Sequence, residues 1–150
     1  MVTEKENIAD TFYAFHDGDI IFDKEEGLNQ IWKIECEYLA EMINPKFKLF
    51  WIKIYNCKFL QFEPWMNPIE LPEEIWTSPK DIFKTELEIL SAKKKENKVE
   101  ISCNQHNSDF NFCGGQLLLD CEGIEVYDEE WNKIESEKLG EICNQYWNGK

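Results

Sequence analysis

Alternation of apolar and polar residues dominates this chain. The clearest period-two run is Gln30 to Met42, with Trp32, Ile34, Cys36 and Tyr38 on one face and Lys33, Glu35 and Glu37 on the other. It predicts a half-buried antiparallel strand. Upstream, Phe12 to Phe22 reads as an apolar-rich extended segment broken at His16-Asp17-Gly18, where Asp-Gly favours positive φ and predicts a bulge or tight bend. Asp23 to Asn29 is charged, contains Gly27 and suits a hairpin loop of moderate length, so Phe12 to Leu39 is expected to form a β-hairpin that organises the other strands. Residues 1 to 10 are polar and are expected to fray, or to start a short helix at most.

Asn44-Pro45 ends the second strand, because proline lacks a ladder donor and pushes its predecessor towards extended geometry. Phe47 to Tyr55 reads as a strand with both faces covered: Phe50, Ile52 and Ile54 on one side, Leu49, Trp51 and Tyr55 on the other. The phase slips at Asn56-Cys57, so Phe59 to Phe62 is either the same strand after a bulge or a separate short one. Glu63 to Lys80 holds all but one of the five prolines, together with Trp65 and Trp76. That density forbids a regular helix or a central strand and predicts a long ordered excursion, serving either as a lid on the sheet or as a recognition loop.

Beyond it, a helical turn is expected from Asp81, then the strand ELEIL, a turn at Lys93 to Lys98, and the half-buried strand KVEISCN, which together make a second hairpin. After the loop Asn104 to Gly115, Gln116 to Tyr127 predicts a last long strand with a bulge at Gly123. Asp128 to Lys133 reads as a turn. From about Ser136, the spacing of Leu139, Ile142, Cys143 and Tyr146 draws one apolar stripe and predicts a C-terminal helix packed on the sheet. The fold class is α+β, mainly β: about six mostly antiparallel strands, a Pro-rich excursion and one C-terminal helix.

A length of 150 residues suits a single domain, 1–150, with a core that folds without disulfides or metals. Hydrophobic residues at 43% and aromatics at 14% exclude a disordered chain. No apolar run approaches the roughly 18 residues of a membrane span, and the start MVTEKENIAD lacks the parts of a signal peptide. A cytoplasmic protein is expected, with its 6 Cys reduced and mostly buried. The net charge of −14 comes from 30 acidic residues against 16 basic ones, all of them Lys. That balance argues against a nucleic acid partner and leaves two readings, an acidic surface that keeps the protein soluble and one that meets a basic protein partner; with no apolar span, no membrane partner is expected.

Candidate chemistry is sparse. Cys103-x-x-His106 with Cys113 and Cys121 has zinc-ligand residue types but lacks two close pairs, so buried thiols are the better reading. His16 and Asp17 are neighbours in an extended segment and would point apart, so each would need a partner from elsewhere. His106 is the only second imidazole, and a metal-dependent enzyme built on His16, Asp17 and His106 stands as an alternative. No nucleophile elbow and no phosphate loop occurs, so no catalytic residue and no cofactor is assigned and the chain reads as a non-enzyme.

The surface is more informative. Glu35, Glu37, Glu86, Glu88, Glu100, Asp120, Glu122 and Glu125 all fall at outward strand positions, and Trp65 and Trp76 sit in the Pro-rich excursion. With the exception of Glu100, these are the candidate partner-binding residues. Phe15-His16-Asp17-Gly18-Asp19-Ile20, a strand ending Trp32-Lys33-Ile34, and the late Leu117-Leu118-Leu119-Asp120-Cys121 with Ile124-Glu125-Val126-Tyr127-Asp128 resemble small β-rich immunity proteins of bacterial polymorphic-toxin systems. In those families an FHD-like segment opens the sheet; the excursion at Glu63 to Lys80 has no counterpart there. The resemblance implies a non-enzymatic cytoplasmic inhibitor that occludes a basic toxin or enzyme. A structural or oligomerisation module is the third reading.

Overall fold

Ile8, Phe12 and Phe15 recur at helical spacing, and that stripe decides the start of the fold. In the computed structural model, which describes residues 1–65 and 76–149, the chain opens with helix α1 (Lys5–Ala14) and enters strand β1 only at Asp19. The extended segment expected from Phe12 is therefore helical at its start. All three stripe residues are fully buried, and burying each such side chain is worth about 1.5–3 kcal/mol, more than the β preference of isolated aromatics.

The hairpin follows as β1 (Asp19–Glu26) and β2 (Asn29–Glu35). Its turn is tighter than the moderate loop expected, since Glu26 pairs directly with Asn29 and only Gly27-Leu28 lie between. Gly27 has φ +62°, a conformation glycine adopts without strain. The second strand stops at Glu35, and Tyr38 lies instead in the short helix α2 (Glu37–Ala40), whose Leu39 and Ala40 turn into the core.

Next come β3 (Leu49–Tyr55), β4 (Phe59–Pro64), α3 (Pro79–Phe83), β5 (Leu87–Lys95), β6 (Lys98–Gln105), β7 (Gly114–Asp120), β8 (Gly123–Tyr127), β9 (Lys133–Ile134) and α4 (Ser136–Asn148). The class is α+β, mainly β, with one antiparallel sheet. Among the described residues it has nine strands rather than about six, and four helices rather than one. The β5–β6 hairpin is present, but Lys93–Lys95 belong to β5, leaving only Glu96-Asn97 as the turn. The middle of the Pro-rich excursion, 66–75, lies outside the described residues.

Strand order is β4-β7-β6-β5-β1-β2-β3-β8-β9. Flat, six inter-strand steps of about 4.8 Å would put β3 and β4 about 29 Å apart. Asn56, Cys57 and Lys58, which join them, reach at most about 14 Å. The sheet is therefore strongly curled. Asn56 takes the bend at φ 50°, the Lys58 amide donates to Asp120 O at 2.8 Å, and the Glu122 amide donates to Tyr55 O at 2.9 Å. β3 with β4, and β7 with β8, are thus two long strands bent at the same level. The long strand expected over Gln116–Tyr127 bends at Cys121-Glu122, and its halves pair with different neighbours.

One face of the sheet, carrying Trp32, Ile34, Phe50, Ile52, Leu87 and Ile101, is buried under helices. Phe12 of α1 lies 5.8 Å from Trp32 and Phe15 lies 4.9 Å from Phe50, ring centre to ring centre. Phe83 of α3 meets Trp32 edge-on at 4.9 Å, and α4 contributes Leu139 and Ile142. Among the described residues no helix lies over the opposite face of β1, β2, β3 and β8, where Asp19, Ile21 and Glu35 are exposed and Ile31, Lys33, Trp51 and Lys53 half-buried. No helix among the described residues is long and apolar enough to cross a membrane.

Candidate functional site

Register on the open face sets its side chains in rows that cross several strands. One row is acidic: Glu35 of β2 pairs with Asp19 of β1, and Asp19 pairs with Glu88 of β5. Like charges at directly opposed positions oppose sheet formation. Burial pushes the Asp19 carboxyl above the usual range, and the charges of Glu88, Glu35 and Glu86 push the same way, while His106 acts against them. His106 Nε2 lies 2.8 Å from Glu88 Oε1, and its amide donates to Glu86 O at 3.0 Å. Among the described residues, no lysine forms an ion pair with Asp19, Glu35 or Glu88.

The neighbouring row runs Lys133, Tyr127, Trp51, Lys33, Ile21 across β9, β8, β3, β2 and β1. Trp131 stacks on Trp51, with ring centres 4.7 Å apart and planes at 16°. Its φ is 66°, which is strained for a bulky residue, yet its side chain is 40% exposed. Buried Asp128 holds that geometry: Oδ1 accepts the amides of Glu130 and Asn132, both at 2.9 Å. Lys33 sits 5.3 Å from the centre of the Trp51 ring, and Lys53 sits 5.3 Å from Tyr127 and 5.7 Å from Trp131.

Glu125 fixes the far side of this platform. It accepts hydrogen bonds from Tyr55 at 2.5 Å and Tyr127 at 3.0 Å, and pairs with Lys133 at 2.9 Å. The Tyr55 bond first, then Lys133, hold its carboxyl down at about 2. Burial and this carboxylate together push the Tyr55 hydroxyl up.

The candidate residues divide accordingly. Glu35, Glu86 and Glu88 come together around Asp19. Glu37 opens α2 instead of following Glu35 along the strand, because the strand has ended. Asp120 is occupied by Lys5 at 2.7 Å, Glu122 lies beside Asn56 at 3.4 Å, and Glu125 is committed to its tyrosines. Glu100, expected outward, is buried and paired with Lys95 at 3.3 Å. Trp76 packs among Phe62, Phe110 and Phe112, which makes it an anchor. Trp65 lies across Gly114, where a Cβ would come within 2.8 Å of its ring. Asp19, Trp51, Lys53 and Trp131 were not among the candidates. Asp19 was legible as the outward neighbour of Ile20; Trp131 stood in a predicted turn with nothing in its residue type to signal a left-handed backbone.

The His-Asp-Gly segment serves the fold. Asp17, at φ 69°, donates its amide to Ile89 O at 2.7 Å, and Gly18 O accepts the Ile89 amide at 2.9 Å, clipping β1 to β5. His16 O accepts the Tyr38 hydroxyl at 2.7 Å, its Nδ1 donates to Tyr13 O at 3.0 Å, and its ring stacks on Trp147 at 5.3 Å. The imidazole of His106 meets Glu88 instead. All six cysteines are free. Burial raises the thiols of Cys36 and Cys57 to about 11 and that of Cys121 to about 12, and it raises Cys103 as well. Such thiols stay protonated near neutral pH. Among the described residues no group of three or more His, Cys, Asp or Glu side chains is placed to hold a metal ion.

No protein-family model, no curated protein and no solved structure matches this chain.

Proposed function

We propose that the protein is a non-enzymatic binding protein whose open sheet face docks a basic protein partner, in the manner of an immunity-type inhibitor of a toxin domain. The row Glu35, Asp19, Glu88 carries this reading. Three carboxylates in register, one of them partly desolvated and none paired with a lysine, store electrostatic repulsion that an incoming ammonium or guanidinium relieves. The net charge of −14 adds long-range attraction for a cationic partner and speeds encounter. The exposed Trp131 on Trp51, one row away, supplies a rigid aromatic contact of the kind that anchors interfaces.

Affinity capture with the wild-type protein, identification of the captured protein and titration of the purified pair test the reading. A basic partner is expected, bound more weakly as salt rises and more weakly by the Asp19→Asn/Glu35→Gln/Glu88→Gln variant. An acidic partner, or binding indifferent to both changes, sinks it.

A further inference from the structure

A third row of the open face crosses β1, β2, β3 and β8 as Lys24, Ile31, Lys53 and Glu125. Over Ile31 opens a cleft of about 210 Å3 whose lining includes Lys24, Glu26, Asn29, Ile31, Lys53 and Tyr55. The half-buried Ile31 is an apolar floor with a lysine on either side. Lys24 contacts Glu26 at 3.0 Å, on an exposed pair. Lys53 has no carboxylate partner among the described residues and rests against the rings of Tyr127 and Trp131. In a chain with 30 acidic residues and 16 lysines, a lysine left on aromatic rings is available to an incoming anion. Exposed cation–π contacts are weak beside a charge-assisted hydrogen bond. Asn29 adds a donor: its Oδ1 is taken by the Asn56 amide at 2.8 Å, while no described residue accepts from its Nδ2.

The geometry points to a binding site for a small aromatic carboxylate, its ring on Ile31 against Tyr55 and its carboxylate between Lys53 and Lys24, with Asn29 Nδ2 as a further donor. The cleft is smaller than the roughly 300–1,000 Å3 of sites for drug-sized ligands, which limits the ligand to about one ring. Two lysines select the anion; the floor excludes strongly hydrated inorganic ions. This site is separate from the carboxylate row and of opposite sign, so it extends the proposed function without depending on it.

Benzoate is the probe. Titrated into the ¹⁵N-labelled full chain, it is expected to shift the backbone amides of Ile31, Lys53 and Tyr55 saturably. Lys53→Met is expected to weaken binding tenfold or more, Lys53→Arg to restore most of it, and benzyl alcohol, the neutral isostere, to give no saturable shift. Lys24→Met provides a second, independent loss if Lys53→Met unfolds. Glu35→Gln/Glu88→Gln is expected to leave benzoate binding intact, which separates this site from the carboxylate row. Shifts that fail to saturate, that survive both lysine variants, or that benzyl alcohol reproduces overturn the proposal.

Discussion

Asp19 stands directly opposite Glu88 in the shortest interior ladder of the sheet, where β1 and β5 share only two register pairs, Asp19 with Glu88 and Ile20 with Leu87. The weakest seam of the fold thus carries a like-charge pair, and the Asp17 and Gly18 backbone bonds to Ile89 reinforce it from one side. Stability is given up at the point where the partner is proposed to bind.

Asp19→Asn is therefore expected to stabilise the free protein at neutral pH by roughly 0.2–1 kcal/mol, the size of a cross-strand charge effect. The folded-state pKa of Asp19 is raised, so its ionisation is unfavourable to folding above that pKa and the penalty vanishes as pH falls through it. Urea unfolding of both proteins at neutral and acidic pH checks this: the advantage of the variant should shrink on acidification. An Asn variant less stable at neutral pH would mean that the carboxylate is satisfied.

Glu125 behaves in the opposite sense. Its carboxyl is lowered from 4.5 to about 2, so it contributes stability at neutral pH that is lost as pH falls through that window. Glu125→Gln should be less stable than wild type at pH 7, and the gap should close as pH is lowered from about 4.5 towards 2. A gap that persists there would assign the loss to packing.

How much of this was legible in the sequence depends on whether the determining contact is local. Period-two runs such as Trp32 with Ile34, or Val99, Ile101 and Cys103, mark a buried face by themselves, and Glu35 and Glu88 follow as outward positions. The helix at Lys5–Ala14 was obscured because Phe12 and Phe15 favour strands and their stripe begins among polar residues. Strand order lay beyond reach, since the pairing of Asp19 with Glu88 arises from a crossover that no local pattern encodes. Trp131 was hidden for the same reason: its role is set by Asp128 and by Trp51 on another strand.

The backbone of Trp131 offers a test of how that loop is held. An L-residue at φ 66° costs about 1–2 kcal/mol relative to glycine, so Trp131→Gly should be more stable than Trp131→Ala by about 1 kcal/mol, although both lose the stacking on Trp51. Chemical denaturation of the pair measures the difference. Equal stability would mean that the loop relaxes once the indole is gone.

Phe12 tests the packing of the helices on the curled sheet. Its ring is fully buried against Trp32, so Phe12→Ala should lose about 3–5 kcal/mol of stability in a urea melt. A loss under about 1 kcal/mol would show that α1 is not part of the core.

The central claim, that the carboxylate row is the docking surface for a basic protein, is tested most directly by the dissociation constant of the captured partner at low and high salt. The comparison is between wild type and Asp19→Asn/Glu35→Gln/Glu88→Gln. Affinity at least tenfold weaker in the variant, together with a flatter salt dependence, is the predicted result. Equal affinity and an unchanged salt dependence in the two proteins would contradict it.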